Sequence, residues 1–113
     1  MPERVNFYID QGTTFNTEVE IFRDEEELNV DDFNFFSSIR KLYSSSSSVD
    51  FFISKDANTN NIQLSLDKEI TAELIPGKYL YDVLMVDTSN GYSVKILEGL
   101  IFVVETMTRT ANT

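Results

Sequence analysis

The side chains that could do chemistry in this chain are carboxylates. Eight acids against one arginine lie between Glu18 and Asp32: Glu18, Glu20, the unbroken run 24–27, Asp31 and Asp32. Oxygen donors of this kind suit a hard cation such as Ca²⁺, but their spacing matches neither an EF-hand loop nor a nonapeptide calcium repeat. Paired carboxylates also hydrolyse glycosides, yet these acids fall in a loop or on the polar sides of strands, with nothing to mark a cleft. The chain has no histidine and no cysteine. That removes disulfides, zinc and iron–thiolate centres, Cys and Ser–His nucleophiles and a histidine pH switch. No catalytic residue, metal-ligand set or cofactor is expected. Tyr8, Tyr43 and Tyr92 remain as a conceivable aromatic platform for a sugar, although single exposed tyrosines are ordinary.

The elements that carry these residues follow from composition and pattern. The 113 residues suit one domain, and 42% apolar content is enough for a real core without staples. The net charge of −10 is the wrong sign for a phosphate-binding surface, so nucleic acid is not an expected partner; the acidity reads as solubility and mutual repulsion. The first ten residues enter an alternating pattern directly, with no basic region followed by an apolar one, so no signal peptide is expected. The longest apolar-rich run, 97–104, is interrupted by Glu98 and Gly99 and is too short to span a bilayer. Folding in a cytoplasm, with no membrane partner, is the expectation.

Apolar residues recur with a period of two along most of the chain. Val5, Phe7 and Ile9 form a first half-buried strand. Phe15, Thr17, Val19 and Ile21 form a second, with Asn16, Glu18 and Glu20 outward, and the two read as pieces of one strand that switches sheets at Gly12. Residues 24–32 read as a loop, because four consecutive acids repel too strongly to sit inside a sheet, with Leu28 and Val30 pinning it to the core edge. A strand is predicted over 33–43, with Phe33, Phe35, Ser37 and Ile39 inward and Phe36 and Leu42 on its other face. The serine run 44–48 reads as a solvated connection. Val49, Phe51 and Ile53 open another strand, and 55–61 is dense in turn formers.

Ile62, Leu64 and Leu66 alternate in the next strand. Asp67 then caps a short helical turn that directs Ile70 and Leu74 inward, and Pro76-Gly77 ends it. Tyr79, Tyr81, Val83 and Met85 form one face of a long strand. The Asn90-Gly91 pair is the strongest hairpin signal in the chain. Val94, Ile96, Ile101 and Val103 continue the inner face of the last strand, with a β-bulge expected at Glu98-Gly99, where the alternation changes phase. About seven short strands, turns every eight to twelve residues and one helical turn predict an all-β fold, a single immunoglobulin-like antiparallel β-sandwich over 1–109 with a frayed polar tail over 110–113. The sequence from Leu74 through Pro76, Gly77, Lys78 and Tyr79 resembles the corner before the penultimate strand of immunoglobulin-like domains. There a tyrosine hydroxyl bonds back to the corner backbone. Tyr79 fits that role, with Tyr81 in reserve.

A wider resemblance rests on Ile39 through Ser45, Ile62-x-Leu64-Ser65-Leu66, Thr71-x-x-Leu74, Pro76-Gly77-x-Tyr79-x-Tyr81-Asp82-Val83, and Leu97-Glu98-Gly99 through Thr108-Arg109. Together these are similar to small immunoglobulin-like virion structural proteins of tailed phages, of the kind found in T4-like cyanophages. The resemblance covers nearly the whole chain and brings no catalytic motif. It implies a non-enzymatic assembly or decoration module located in the virion, with other virion proteins and possibly further copies of itself as partners. The family pattern carries small polar residues on the outer face of the last strand and a proline near position 105. Here those outer residues are Leu100, Phe102 and Val104, and position 105 is Glu.

That departure singles out a face that the sandwich core does not need. Leu80, Leu84 and Val86 on one strand, and Leu100, Phe102 and Val104 on its hairpin partner, point away from the core, whereas a solvated sheet face alternates apolar-in with polar-out. They are expected to gather around Asp82 as one patch. Either the chain's own loop 24–32 or the helical turn near Ile70 covers the patch, or it is a protein–protein interface for a homo-oligomer or for docking onto another virion protein. A host-surface or carbohydrate-binding module is the alternative function.

Overall fold

A computed structural model describes residues 3–23, 25–41 and 49–107. The serine run, Leu42, Tyr43 and the expected frayed tail lie outside the described residues. Among the described residues, ten strands form two stacked sheets and a small ribbon. The larger sheet holds β1 (Glu3–Arg4), β2 (Phe7–Asp10), β10 (Ser93–Val104), β9 (Gly77–Asp87) and β6 (Phe33–Arg40). β1 and β2 both pair with β10, β10 with β9, and β9 with β6. The smaller sheet is β3 (Phe15–Glu20), β8 (Asn61–Leu66) and β7 (Phe52–Lys55), in that spatial order. This is an all-β sandwich.

The inward residues of both sheets make one core. Ile9, Ile39, Val83, Met85, Ile101 and Val103 face Ile62, Leu64 and Leu66, and all are buried. Four rings knit the layers at one level. Phe7 and Tyr81 from the larger sheet meet Phe15 from the smaller sheet and Phe51, with ring centroids 5.3–6.3 Å apart and mostly edge-on or tilted, the arrangement that the ring quadrupole favours.

The sandwich departs from the expected antiparallel order at its first strand. β1 and β2 run parallel to β10, because the first and last strands of this topology lie side by side and are separated by an even number of reversals. β2 and β3 are two strands, not one strand that switches sheets: a tight turn closed by Thr13 N–H to Asp10 O (3.2 Å) reverses the chain, with Gly12 at φ +81°, where a Cβ would be strained. Residues 24–32 are not wholly a loop. β4 (Phe22–Arg23) and β5 (Glu26–Glu27) form a ribbon, and Val30–Asp32 is a 3-10 turn capped by Asn29, whose side chain accepts from the Asp31 N–H. The acids tolerate strand geometry there because the ribbon stands in water, which screens their repulsion. Val30 is fully buried and Leu28 packs on the core.

The helical turn α1 (Lys68–Glu73) also differs from expectation. Asp67 occupies the N-cap position but its side chain makes no capping bond; its carbonyl accepts from Ile70 and Thr71. Ile70 is exposed, and Thr71 is the buried residue instead. The Thr71 hydroxyl donates to Thr13 O (2.7 Å) and Gln11 Nε2 donates to Leu74 O (3.0 Å), which ties α1 to the Gly12 turn. Among the described residues no helix is long and apolar enough to cross a membrane.

Candidate functional site

The hairpin β9–β10 builds the candidate site. Its turn is held by Gly91 N–H to Asp87 O (2.9 Å) and by Ser89 N–H and Tyr92 N–H to the side chains of Asp87 and Asn90 (both 2.8 Å), with Gly91 at φ +75°. At the other end, Pro76 and Gly77 lead into β9 with Gly77 at φ +142°. The Tyr79 hydroxyl donates to Ile75 O at 2.7 Å, and Lys41 Nζ lies 4.9 Å from the centre of the Tyr79 ring. Burial raises the Tyr79 pKa above that of a free phenol. The hairpin is therefore fixed at both ends.

Gly99 has a different role from the one its sequence context suggests. The phase change of β10 falls at Lys95–Leu97, where the register with β9 slips by one residue; Leu97 turns inward and is buried. Gly99 stays in register opposite Tyr81. A Cβ on Gly99 would lie 2.0 Å from the Val5 carbonyl oxygen, so the glycine is there to let the first strand approach. The same Val5 carbonyl accepts the Tyr81 hydroxyl at 2.6 Å, and Asn6 Oδ1 takes the Leu100 N–H at 3.0 Å. Tyr81 is buried, and desolvation, with a smaller contribution from Glu3, pushes its pKa well up. One missing side chain and one phenol thus join β1 and β2 to the sheet.

The register places all six candidate interface residues on the outer face of the larger sheet. Leu100 is opposite Leu80, Leu84 opposite Lys95, Val86 opposite Ser93, and Phe102 opposite Lys78. Leu80, Leu84, Val86, Leu100 and Phe102 are half-buried by their sheet neighbours and Val104 is exposed. Two residues extend the face beyond the hairpin. Phe36 on β6, registered with Leu84, is 55% exposed. Tyr8 on β2, registered with Phe102, is 71% exposed and stacks on it with centroids 5.1 Å apart. Both were readable as outward by alternation; their adjacency to the hairpin was not, since alternation does not name a strand's partner.

The six residues do not form one patch. A charged row crosses the face between them. Asp82 and Glu98 are direct cross-strand partners, a like-charge pair that costs stability unless it is countered. Lys95 Nζ counters it at 3.9 Å from Asp82 and 3.7 Å from Glu98, and Arg4 reaches Glu98 at 3.6 Å. Phe36, Leu84 and Val86 lie on one side of this row; Leu80, Leu100, Phe102, Val104 and Tyr8 lie on the other. Among the described residues of the loop 24–32, the Leu28 N–H donates to Ile21 O and the Val30 N–H to Thr59 O, on the side of the smaller sheet, and Asp32 O accepts the Thr88 N–H just beyond β9. The helical turn is tied to the Gly12 corner by Thr71 and Gln11.

The carboxylates considered for a cation are dispersed. Glu18 and Glu20 stand on the exposed side of β3, Glu26 and Glu27 on the ribbon, and the Asp31 carboxylate accepts from the Asn58 N–H at 3.1 Å. Among the described residues no three acids converge as a metal site. Tyr8 and Tyr92 sit at opposite ends of the β9–β10 ribbon, about 30 Å apart by strand rise, and Tyr43 lies outside the described residues. Comparison with protein-family models and with curated proteins finds no match.

Proposed function

We propose that this chain is a non-enzymatic structural protein of a phage virion, an immunoglobulin-like assembly or decoration module that works by burying the outer face of its larger sheet against another protein. The observation that carries this reading is that face: eight apolar or aromatic side chains, two of them more than half exposed, on a sheet whose core requirement is already met from the other side. Exposed apolar surface of this kind, here two islands on either side of the charged row, marks interaction sites on soluble proteins. The resemblance to small tailed-phage virion proteins gives the setting, with other virion proteins or further copies of the chain as partners.

Size-exclusion chromatography with light scattering tests the contact. The wild-type chain is expected to associate with itself or to co-purify with particles, and Phe102→Glu, which puts a charge beside Tyr8, is expected to abolish that. A monomer absent from purified particles by mass spectrometry, and unchanged by Phe102→Glu, would overturn the reading.

A further inference from the structure

The sandwich has two lateral seams, and the described residues close one of them. At the β6–β7 seam the chain itself crosses between the sheets. Val49 pairs with Ile39 of the larger sheet, Phe51 N–H donates to the Ser37 hydroxyl (2.8 Å), and Lys55 Nζ reaches Phe33 O (2.9 Å). At the opposite seam β1 and β2 face β3 across a gap. Two adjoining grooves of about 380 and 310 Å³ run along it, and both are lined by Glu3, Val19, Glu20 and Phe22. Their apolar walls include Leu28 and Ile96 in one and Val5, Phe7 and Leu97 in the other. At the lip, Phe22 is 50% and Val94 49% exposed.

β3 is the edge of the smaller sheet on this side, and among the described residues it pairs with β8 alone. Ile21 N–H donates to Asn60 O, so by the alternation of an antiparallel ladder the odd residues of β3 direct their backbone groups at β8. The N–H and C=O of Asn16, Glu18 and Glu20 then point outward along an unpaired edge. Beside that edge stand the carboxylates of Glu3, Glu18 and Glu20.

We propose that this edge accepts an extended segment of a partner protein, alternating apolar and basic residues, as a fourth strand of the smaller sheet. Main-chain bonds to Asn16, Glu18 and Glu20 supply the affinity of such strand addition, and every second side chain enters the groove over Val19. The intervening side chains stand beside Glu18 and Glu20, where opposite charge stabilises and like charge does not. That excludes a second copy of β3 as the occupant, since two such edges would set glutamates against glutamates. This surface is separate from the outer face of the larger sheet and does not depend on the virion reading.

The probe is a fluorescein-labelled heptapeptide of alternating lysine and valine, compared with a peptide of the same composition in which the valines and lysines form separate blocks. Fluorescence anisotropy at low salt is expected to show saturable binding of the alternating peptide and at least tenfold weaker binding of the block peptide. Glu18→Pro removes an N–H that faces away from β8, a place where an edge strand tolerates proline, and is expected to weaken binding at least tenfold; Glu18→Lys with Glu20→Lys is expected to do the same. Amide exchange followed by NMR on the wild-type chain keeps the test independent of variant folding: the N–H groups of Asn16, Glu18 and Glu20 are expected to slow when the alternating peptide is added. No saturable binding, equal binding of the two peptides, or unchanged exchange at those three amides would overturn the proposal.

Discussion

The outer faces of the two sheets differ in kind. On the smaller sheet the residues turned away from the core are Asn16, Glu18 and Glu20 on β3, Gln63 and Ser65 on β8, and Phe52 and Ser54 on β7, a polar face broken by one aromatic. On the larger sheet they are Leu80, Leu84, Val86, Leu100, Phe102 and Val104, with Phe36 and Tyr8 beside them. Both sheets bury the same kind of aliphatic side chain inward, so core formation does not explain the contrast. An antiparallel sheet with one solvated face needs polar residues there. The smaller sheet meets that need and the larger one does not, and the proposed protein contact rests on that contrast.

The larger sheet also holds the more demanding local construction, and the largest expected effect tests it. Gly99→Ala sets a methyl group 2.0 Å from Val5 O. The obstacle is backbone, which cannot swing aside, so β1 and β2 must leave β10; a loss of about 3 kcal/mol is expected, at the upper end of overpacking costs. Gln63→Ala on the smaller sheet is expected to change stability by no more than about 0.5 kcal/mol, as exposed substitutions do. Urea denaturation of both variants measures the difference, and equal stabilities would remove this asymmetry between the sheets.

Tyr81→Phe is expected to cost about 1–3 kcal/mol, the penalty for leaving a buried acceptor, Val5 O, unpaired. It also carries a pH signature. Burial holds the Tyr81 and Tyr79 phenols neutral above the pH at which a free phenol ionises. Their contribution is complete below the unfolded value of about 10. As pH rises further the unfolded chain releases protons that the folded chain keeps, so stability falls, by up to about 1.4 kcal/mol per pH unit for each phenol. Melts at pH 9, 10 and 11 are expected to show a shallower decline in Tyr81→Phe than in wild type. A parallel decline would mean that Tyr81 ionises as readily in the folded chain as in the unfolded one.

Alternation made the strands and their faces legible. Tyr79, Tyr81, Val83 and Met85 are buried together, as are Ile62, Leu64 and Leu66, because a period of two is the direct imprint of one buried sheet face. What alternation does not encode is which strand lies next to which. That is why the parallel pairing of β1 and β2 with β10, the adjacency of Tyr8 to Phe102 and the crossing of Val49 to Phe51 between the sheets emerge only from the structure. Gly99 shows the same limit. Its place in a strand signalled an irregularity, but the cause is the backbone of a segment more than ninety residues earlier. The charged row across the outer face was half visible: Asp82 stood out among leucines and valines, whereas Lys95 joins it through a register slip at Lys95–Leu97 that has no marker residue.

That row gives the smallest loss expected on the larger sheet and the closest look at its outer face. Asp82 and Glu98 oppose each other directly, and Lys95 bridges them. Lys95→Met keeps the stem of the side chain and removes its charge, leaving two facing carboxylates with Arg4 on Glu98 alone. All three groups are partly solvated, so the expected loss is about 0.5–1 kcal/mol at low ionic strength. It should shrink toward zero in 1 M salt, where the screening length is only about 3 Å. The same change joins apolar surface at Leu84 to the stem at position 95, so the variant is expected to associate at least as strongly as wild type by light scattering while being slightly less stable. If it instead becomes monomeric, the charges of the row, and not the apolar islands on either side of it, hold the partner. The contrast between the two outer faces would then be one of charge pattern rather than of hydrophobicity.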